Sequence, residues 1–208
     1  MHKEAKFWDK IAEKYSKQPI ADEAAYQKKL EITQGYFTPE TELLEFGCGT
    51  GSTAIIHAPF VKHILATDIS PNMIEIAREK ALAEGIESIT FEVATCDEVS
   101  APNGSLDVVL GMNILHLLED KEAMIAKVYR MLKPGGVFIS STTCLTGPMK
   151  LLKLILPIGA LFGKMPHTLM CFSSKELEKS LTDAEFEIDY QWQANKGMVA
   201  FIVAKKPE

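Results

Sequence analysis

The stretch LLEFGCGTGSTA, Leu43 to Ala54, sets Gly47, Gly49 and Gly51 at alternate positions behind an apolar run that carries one acid, Glu45. Glycines in such a turn let the backbone approach a ligand closely. Three ligand classes compete for it. A triphosphate loop of the G-x-x-x-x-G-K-[ST] type needs a lysine, and none stands between Lys29 and Lys62. A dinucleotide fingerprint needs glycine or alanine where Ser52 stands, and the Glu45 carboxylate would repel a pyrophosphate. The third class is a nucleoside with a cationic, amino-acid-like end. Glu45 would attract an ammonium or sulfonium, and Asp68, about 20 residues on, would accept from both ribose hydroxyls. S-adenosylmethionine has all three parts.

These residues need elements to position them. Two amphipathic helices are expected before Gly35, with Phe7, Ile11 and Tyr15 on one face of the first. Strands and helices then alternate. Strands are predicted at Glu42–Phe46, Lys62–Thr67, Ser88–Val93, Leu106–Gly111 and Val137–Thr143. Helices are predicted at about Ser52–Ala58, ended by Pro59, at Asn72–Glu84, stopped by Gly85, and at Lys121–Leu132, closed by LKPGG. Ser70 is the expected N-cap of the second of these, with Pro71 in its first turn. A helix at Ser173–Leu181 precedes two last strands joined by a turn at Asn195–Gly197. The alternation implies an α/β, doubly wound, mostly parallel sheet with a C-terminal antiparallel hairpin, built as a single domain. Ligands of such sheets bind where strand order reverses, beyond the strand carboxyl ends.

The segments LLEFGCGTG, ILATDIS, SLDVV and MLKPGG, in this order and spacing, resemble the class I S-adenosylmethionine-dependent methyltransferases. Within them the chain is similar to the branch of UbiE-type quinone methyltransferases and many small-molecule enzymes. The resemblance implies a Rossmann-like sheet of seven strands. It implies that Glu45, Gly47, Cys48, Gly49 and Gly51 line the methionine moiety, that Asp68 holds the ribose, and that Ile69 and Met73 pack on the adenine. Asn113 would lie beneath the sulfonium, and Tyr15 would close over the cofactor. The family's G-D-A position falls on Ala94-Thr95-Cys96, where its acid is missing; Asp97 is the alternative partner of the adenine amino group. Each residue also has a structural role open to it: Asp68 as a helix N-terminal charge, Asp97 as a turn residue, Tyr15 as core.

Methyl transfer from a sulfonium is an in-line displacement, so the protein mainly aligns the reactants. A general base matters where the acceptor holds its proton. His116 in GMNILHLLED is the expected base or substrate contact; packing between Leu115 and Leu117 is the other role open to it, and Tyr26 and His167 are weaker candidates. The apolar run LLKLILPIGALFG, Leu151–Gly163, lies in a lid-like insertion at about 145–168. It reads as a core helix or as a lid over an apolar acceptor such as a quinone precursor, phenol or lipid. Lys150, Lys153 and Lys164 would allow transient membrane-surface contact.

The totals exclude other classes. The chain has 208 residues, 47% hydrophobic and 24% charged, with a net charge of −6 and no basic block, so a nucleic-acid partner is not expected. The four cysteines lack a C-x-x-C and the five histidines are scattered, so reduced thiols, no metal site and a cytoplasmic location are expected. No segment has the length and composition of a transmembrane span. A monomer or homodimer is expected. The alternatives to an enzyme releasing S-adenosylhomocysteine are a non-catalytic cofactor-binding module and, less in keeping with Glu45, an NAD(P)-dependent reductase.

Overall fold

The computed structural model of the protein describes residues 3–144, 165–194 and 198–208. Helices α1 (Lys3–Ser16) and α2 (Glu23–Gln34) come first. Asp22 starts α2, its carboxylate accepting from the Ala25 N–H at 3.0 Å. The alternating part runs β1 (Glu42–Phe46), α3 (Ser52–His57), β2 (His63–Asp68), α4 (Pro71–Ala83), β3 (Ile89–Val93), β4 (Leu106–Met112), α5 (Lys121–Met131) and β5 (Leu132–Thr143). Helix α6 (Ser174–Asp183) and strands β6 (Glu187–Ala194) and β7 (Val199–Lys205) follow. Ser70 caps α4 through the Met73 N–H, with Pro71 in the first turn, as expected. Ser173 and Glu176 form a reciprocal capping box on α6.

The seven strands form one sheet in the order β3-β2-β1-β4-β5-β7-β6. Strands β1 to β5 are parallel, and β7 lies antiparallel between β5 and β6. This is the expected doubly wound sheet with its antiparallel hairpin. Strand β1 is central, and strand order reverses between β1 and β4. The crevice at that reversal is bordered by the glycine turn after β1 and by Asn113 after β4.

Each face of the sheet has its own core. Leu44, Phe46 and Val109 pack against Ile125 and Val128 of α5 and Leu177 and Leu181 of α6. Leu43, Ile64 and Leu110 pack against Ile55 of α3 and Ile74, Ala77 and Ala81 of α4. Alternation along β1 sends Leu44 and Phe46 to one core and Leu43 to the other. Glu45 shares its parity with Leu43, which sends a carboxylate toward the α2–α3–α4 side.

The boundaries depart from expectation in two places. Helix α3 ends at His57, and Pro59 sits inside a 3-10 turn, Ala58–Phe60, instead of ending the helix outright. The LKPGG segment is the start of β5: Leu132 pairs with Leu106, then the register shifts so that Val137 pairs with Val108. Gly135, at φ 75°, allows this bulge, and a Cβ on Gly136 would stand 2.9 Å from the Lys133 carbonyl and 3.1 Å from that of Asp107. Residues 145–164 of the insertion and the turn at 195–197 lie outside the described residues. Among the described residues no helix is long and apolar enough to cross a membrane.

Gly51 and Gly85 separate two costs of adding a methyl group. Both have positive φ, 73° and 67°. A Cβ on Gly51 would stand 2.7 Å from the Ala77 Cβ and 3.0 Å from Phe91, whereas one on Gly85 meets nothing within 4 Å. Gly85→Ala should cost about 1 kcal/mol, the conformational term alone. Gly51→Ala should cost about 2–4 kcal/mol, because overpacking is added. Urea unfolding of both variants checks the difference.

Candidate functional site

The glycine turn is shaped by three left-handed residues: Gly47, Gly49 and Gly51 have φ of 68°, 55° and 73°. The Cys48 N–H donates to the Thr67 carbonyl at 2.9 Å, tying the turn to β2. Asp68, the last residue of β2, completes the link. Its Oδ2 accepts from the Gly49 N–H and its Oδ1 from the Ser70 N–H, both at 2.9 Å. Burial raises the Asp68 pKa, and these backbone bonds oppose the shift.

Asp9 links helix α1 to the segment beside this turn. Asp9 accepts from the Ser70 hydroxyl at 2.6 Å and from the Asn72 N–H at 3.1 Å, at the N-terminus of α4. Tyr15 lies close over Gly49, 3.7 Å from where a Cβ would stand. On the other flank Lys127 of α5 donates to the Cys96 and Asp97 carbonyls, at 3.2 and 2.7 Å, and fixes the segment after β3.

These elements enclose a cavity of about 500 Å³, within the range of small-molecule sites. It is lined by Tyr15, Gly47, Gly49, Asp68, Ile69, Met73, Thr95, Cys96, Asp97 and Asn113, which brings together ten of the residues expected from the sequence. Glu45, Cys48, Gly51 and His116 do not line it. Gly51 instead serves packing against α4 and β3. Cys48 is buried, and burial pushes its thiol well up, so it stays protonated. The His116 Nδ1 is buried without a partner, and burial pulls its pKa down to about 4. His116 therefore sits uncharged at neutral pH, behind a turn whose Ile114, Leu117 and Leu118 do reach the cavity.

Sequence reasoning missed the far wall. Glu4 and Trp8 come from α1, and Leu117, Leu118, Glu119 and Met124 from the segment around the start of α5. Trp8 lies seven residues before Tyr15, a spacing that shares a helix face. That pairing was visible in the sequence, but its partner surface was not. Asn113 adopts φ 55°, a left-handed conformation that asparagine tolerates, and donates to the Ser141 carbonyl at 2.7 Å.

The charge of the site is one-sided. Glu4, Asp68, Asp97, Glu119 and Asp120 line the cavity, and among the described residues no lysine, arginine or histidine does. Glu45 lies behind the turn, 1% exposed, and its Oε2 has no hydrogen-bond partner. Burial, then the Asp68 charge, raises its pKa to about 8. An orphaned buried acid is costly unless a cation or donor offsets it. The residues present therefore fit a nucleoside carrying a positive end: Asp68 for ribose hydroxyls, apolar Ile69 and Met73 for a base, Glu45 for the charge.

Glu45 makes a signed prediction about stability. Between the usual carboxylate range and about 8 the folded chain holds a proton that the unfolded chain has released, so stability falls as pH rises through that window. Glu45→Gln removes this dependence. The melting temperature of the variant minus that of the wild type should grow from pH 5 to pH 8; a constant difference would contradict the buried-acid assignment.

Comparison with known proteins agrees with this geometry. Residues 43–136 match a family model described as a methyltransferase domain. The chain is 35% identical over 107 residues to phosphoethanolamine N-methyltransferase 1 of Arabidopsis thaliana, covering 51% of this chain and 22% of that protein. It is 29% identical over 163 residues to a demethylmenaquinone methyltransferase of Bacteroides fragilis, covering 70% of this chain and 66% of that protein. The chain thus spans less than two thirds of the length of these relatives. The crystal structure of YcgJ from Bacillus subtilis superposes with a TM-score of 0.72 at 17% identity, covering 88% of this chain and 99% of that one, and so shares the fold. With its glycine turn, strand-end acid and seven-stranded sheet, the chain is similar to the class I S-adenosylmethionine-dependent methyltransferases, and residues 43–136 match a methyltransferase domain.

Proposed function

We propose that the protein transfers a methyl group from S-adenosylmethionine to a small, apolar acceptor. The observation that carries this reading is the composition of one cavity. Asp68, Ile69 and the Thr95–Asp97 segment form a nucleoside-like half, and Trp8, Ile114, Leu117, Leu118 and Met124 form an apolar half. The relatives' names include a quinone methyltransferase, which is in keeping with an apolar acceptor, and phosphoethanolamine methyltransferases. A phosphate-bearing acceptor would meet the carboxylates of this cavity and, among the described residues, no cation.

When bound, the cofactor supplies a methyl group already activated by positive sulfur. The chain's own residues do the rest by binding and alignment. Asp68, Gly49 and Thr95 to Asp97 would hold the nucleoside. Glu45, whose Oε2 is buried without a hydrogen-bond partner, would stabilise the positive end. Tyr15 and Trp8 on α1 would cover the reactants and exclude water. In this reading His116 shapes the Ile114–Leu118 turn and takes no proton, because its ring is outside the lining and burial makes it a weak base.

Labelled S-adenosylmethionine, offered with a panel of quinols, phenols and lipids, tests the proposal. Transfer to apolar acceptors is expected; transfer confined to polar amines would overturn the acceptor class. S-adenosylmethionine and S-adenosylhomocysteine should raise the melting temperature and NAD should not; Asp68→Ala should abolish the shift. Calorimetry at pH 7 in buffers of different ionisation enthalpy should show net proton release on S-adenosylmethionine binding, since Glu45 starts protonated and a nearby cation lowers its pKa. His116→Asn should keep kcat within about threefold and leave its pH profile unmoved; losses of the 10²–10⁴-fold typical of a general base would restore that role.

A further inference from the structure

We propose that the acceptor is an elongated molecule: its reacting end occupies the main cavity and its neutral, apolar tail lies in a groove that continues from it. This deepens the function proposed above and rests on it. The groove measures about 350 Å³. Leu118, Met170 and Phe172 give it an apolar lining, and residues from the start of α5 and from α6 form its rim. Lys179 and Asp183 on that rim are exposed, so the groove opens to water along one side.

The same two stretches of chain border both spaces. One is the turn before α5: Ile114, Leu117 and Leu118 line the cavity, and Leu118, Glu119 and Lys121 line the groove. The other is the segment before α6: Thr168 lines the cavity, and Met170, Cys171 and Phe172 line the groove. The Met170 N–H donates to the His116 carbonyl at 2.7 Å and joins the two stretches. The His167 N–H donates to the Glu4 carboxylate at 3.2 Å and ties the second stretch to α1. Leu118 is half-buried and Glu119 is exposed, so the ridge between cavity and groove stands at the surface. A chain crosses it without entering the core.

Volume and charge both point to a tail of the acceptor. About 500 Å³ is what one drug-sized ligand fills, yet cofactor and acceptor must share it. Only the reacting end of an acceptor then fits beside the cofactor. The groove starts at Leu118, in the apolar half of the cavity, and neither Asp68 nor the glycine turn lines it. Its rim is charged, but these charges satisfy one another. Lys179 pairs with Asp183 at 2.7 Å, Lys121 pairs with Glu122, and Glu122 also accepts from the Ser180 hydroxyl at 3.2 Å. Glu176 accepts from the Ser173 N–H at 2.6 Å in the capping box. A charged tail would have to break one of these pairs, whereas a hydrocarbon tail gains by covering the apolar lining.

Cys171 makes the groove readable. It is half-exposed there, whereas Cys48 and Cys144 are buried and Cys96 lines the main cavity. The full chain with S-adenosylhomocysteine is treated with a maleimide in the presence of phenol, 4-butylphenol or 4-octylphenol, and modification of Cys171 is read by peptide mass. In excess, 4-octylphenol should slow that modification about tenfold and phenol should not. Ser180→Phe, which fills the groove, should abolish the protection. In methyl transfer to the same series, KM should fall about twofold per methylene, as half-burial of each implies, with kcat held within about threefold. Ser180→Phe should flatten that series. Labelling that ignores tail length, protection that persists in Ser180→Phe, or a KM independent of tail length overturns the groove. If Ser180→Phe does not fold, the wild-type labelling and KM series decide. A wild type that methylates none of the phenols counts against the function proposed above, and length-dependent protection of Cys171 then still upholds the groove.

Discussion

A single buried carboxyl group, Glu45, sets the terms for the rest of the site. It stands near the end of the central strand, paired in register with Ala66 on one side and Leu110 on the other. Neither neighbour can satisfy it. A chain that folds around such a group accepts a penalty that an apolar residue would avoid. Every nearby acid deepens that penalty, and Asp68 is the nearest in effect. The arrangement makes sense where a positive ligand completes it.

The fold supplies the place for that ligand. Reversal of strand order between β1 and β4 opens a crevice, and the left-handed glycines bring the backbone to its edge without side chains in the way. Asp68 has two tasks here. It holds the glycine turn through Gly49 and starts the next helix through Ser70. Its loss would loosen the turn as well as remove a ribose contact, so binding and local order are coupled at this residue.

The parts of the site legible in the sequence are those whose spacing is local. Glu45, the glycines and Asp68 lie on consecutive strand ends, and a parallel sheet brings consecutive strand ends together. The Thr95–Asp97 segment is legible only through the family resemblance, whose G-D-A position falls on Ala94-Thr95-Cys96. Of the wall from α1 only Tyr15 was legible; Glu4 and Trp8 were not, because their placement depends on Asp9 reaching the N-terminus of α4 across 61 residues. His116 was placed at the rim by its position after β4, yet the 3-10 turn Leu115–Leu117 directs its neighbours to the cavity and leaves its ring behind them. The LKPGG bulge escaped because glycine and proline mark a helix stop and a strand bulge alike.

The central claim is that the orphaned acid and the glycine turn exist to hold a cationic nucleoside. A crystal structure with S-adenosylhomocysteine tests it most directly. The account predicts the ribose hydroxyls on Asp68, the adenine between Met73 and the Thr95–Asp97 segment, and the ammonium end over Gly47 on the Glu45 side. A ligand bound elsewhere, or one whose negative end points to Glu45, would contradict it.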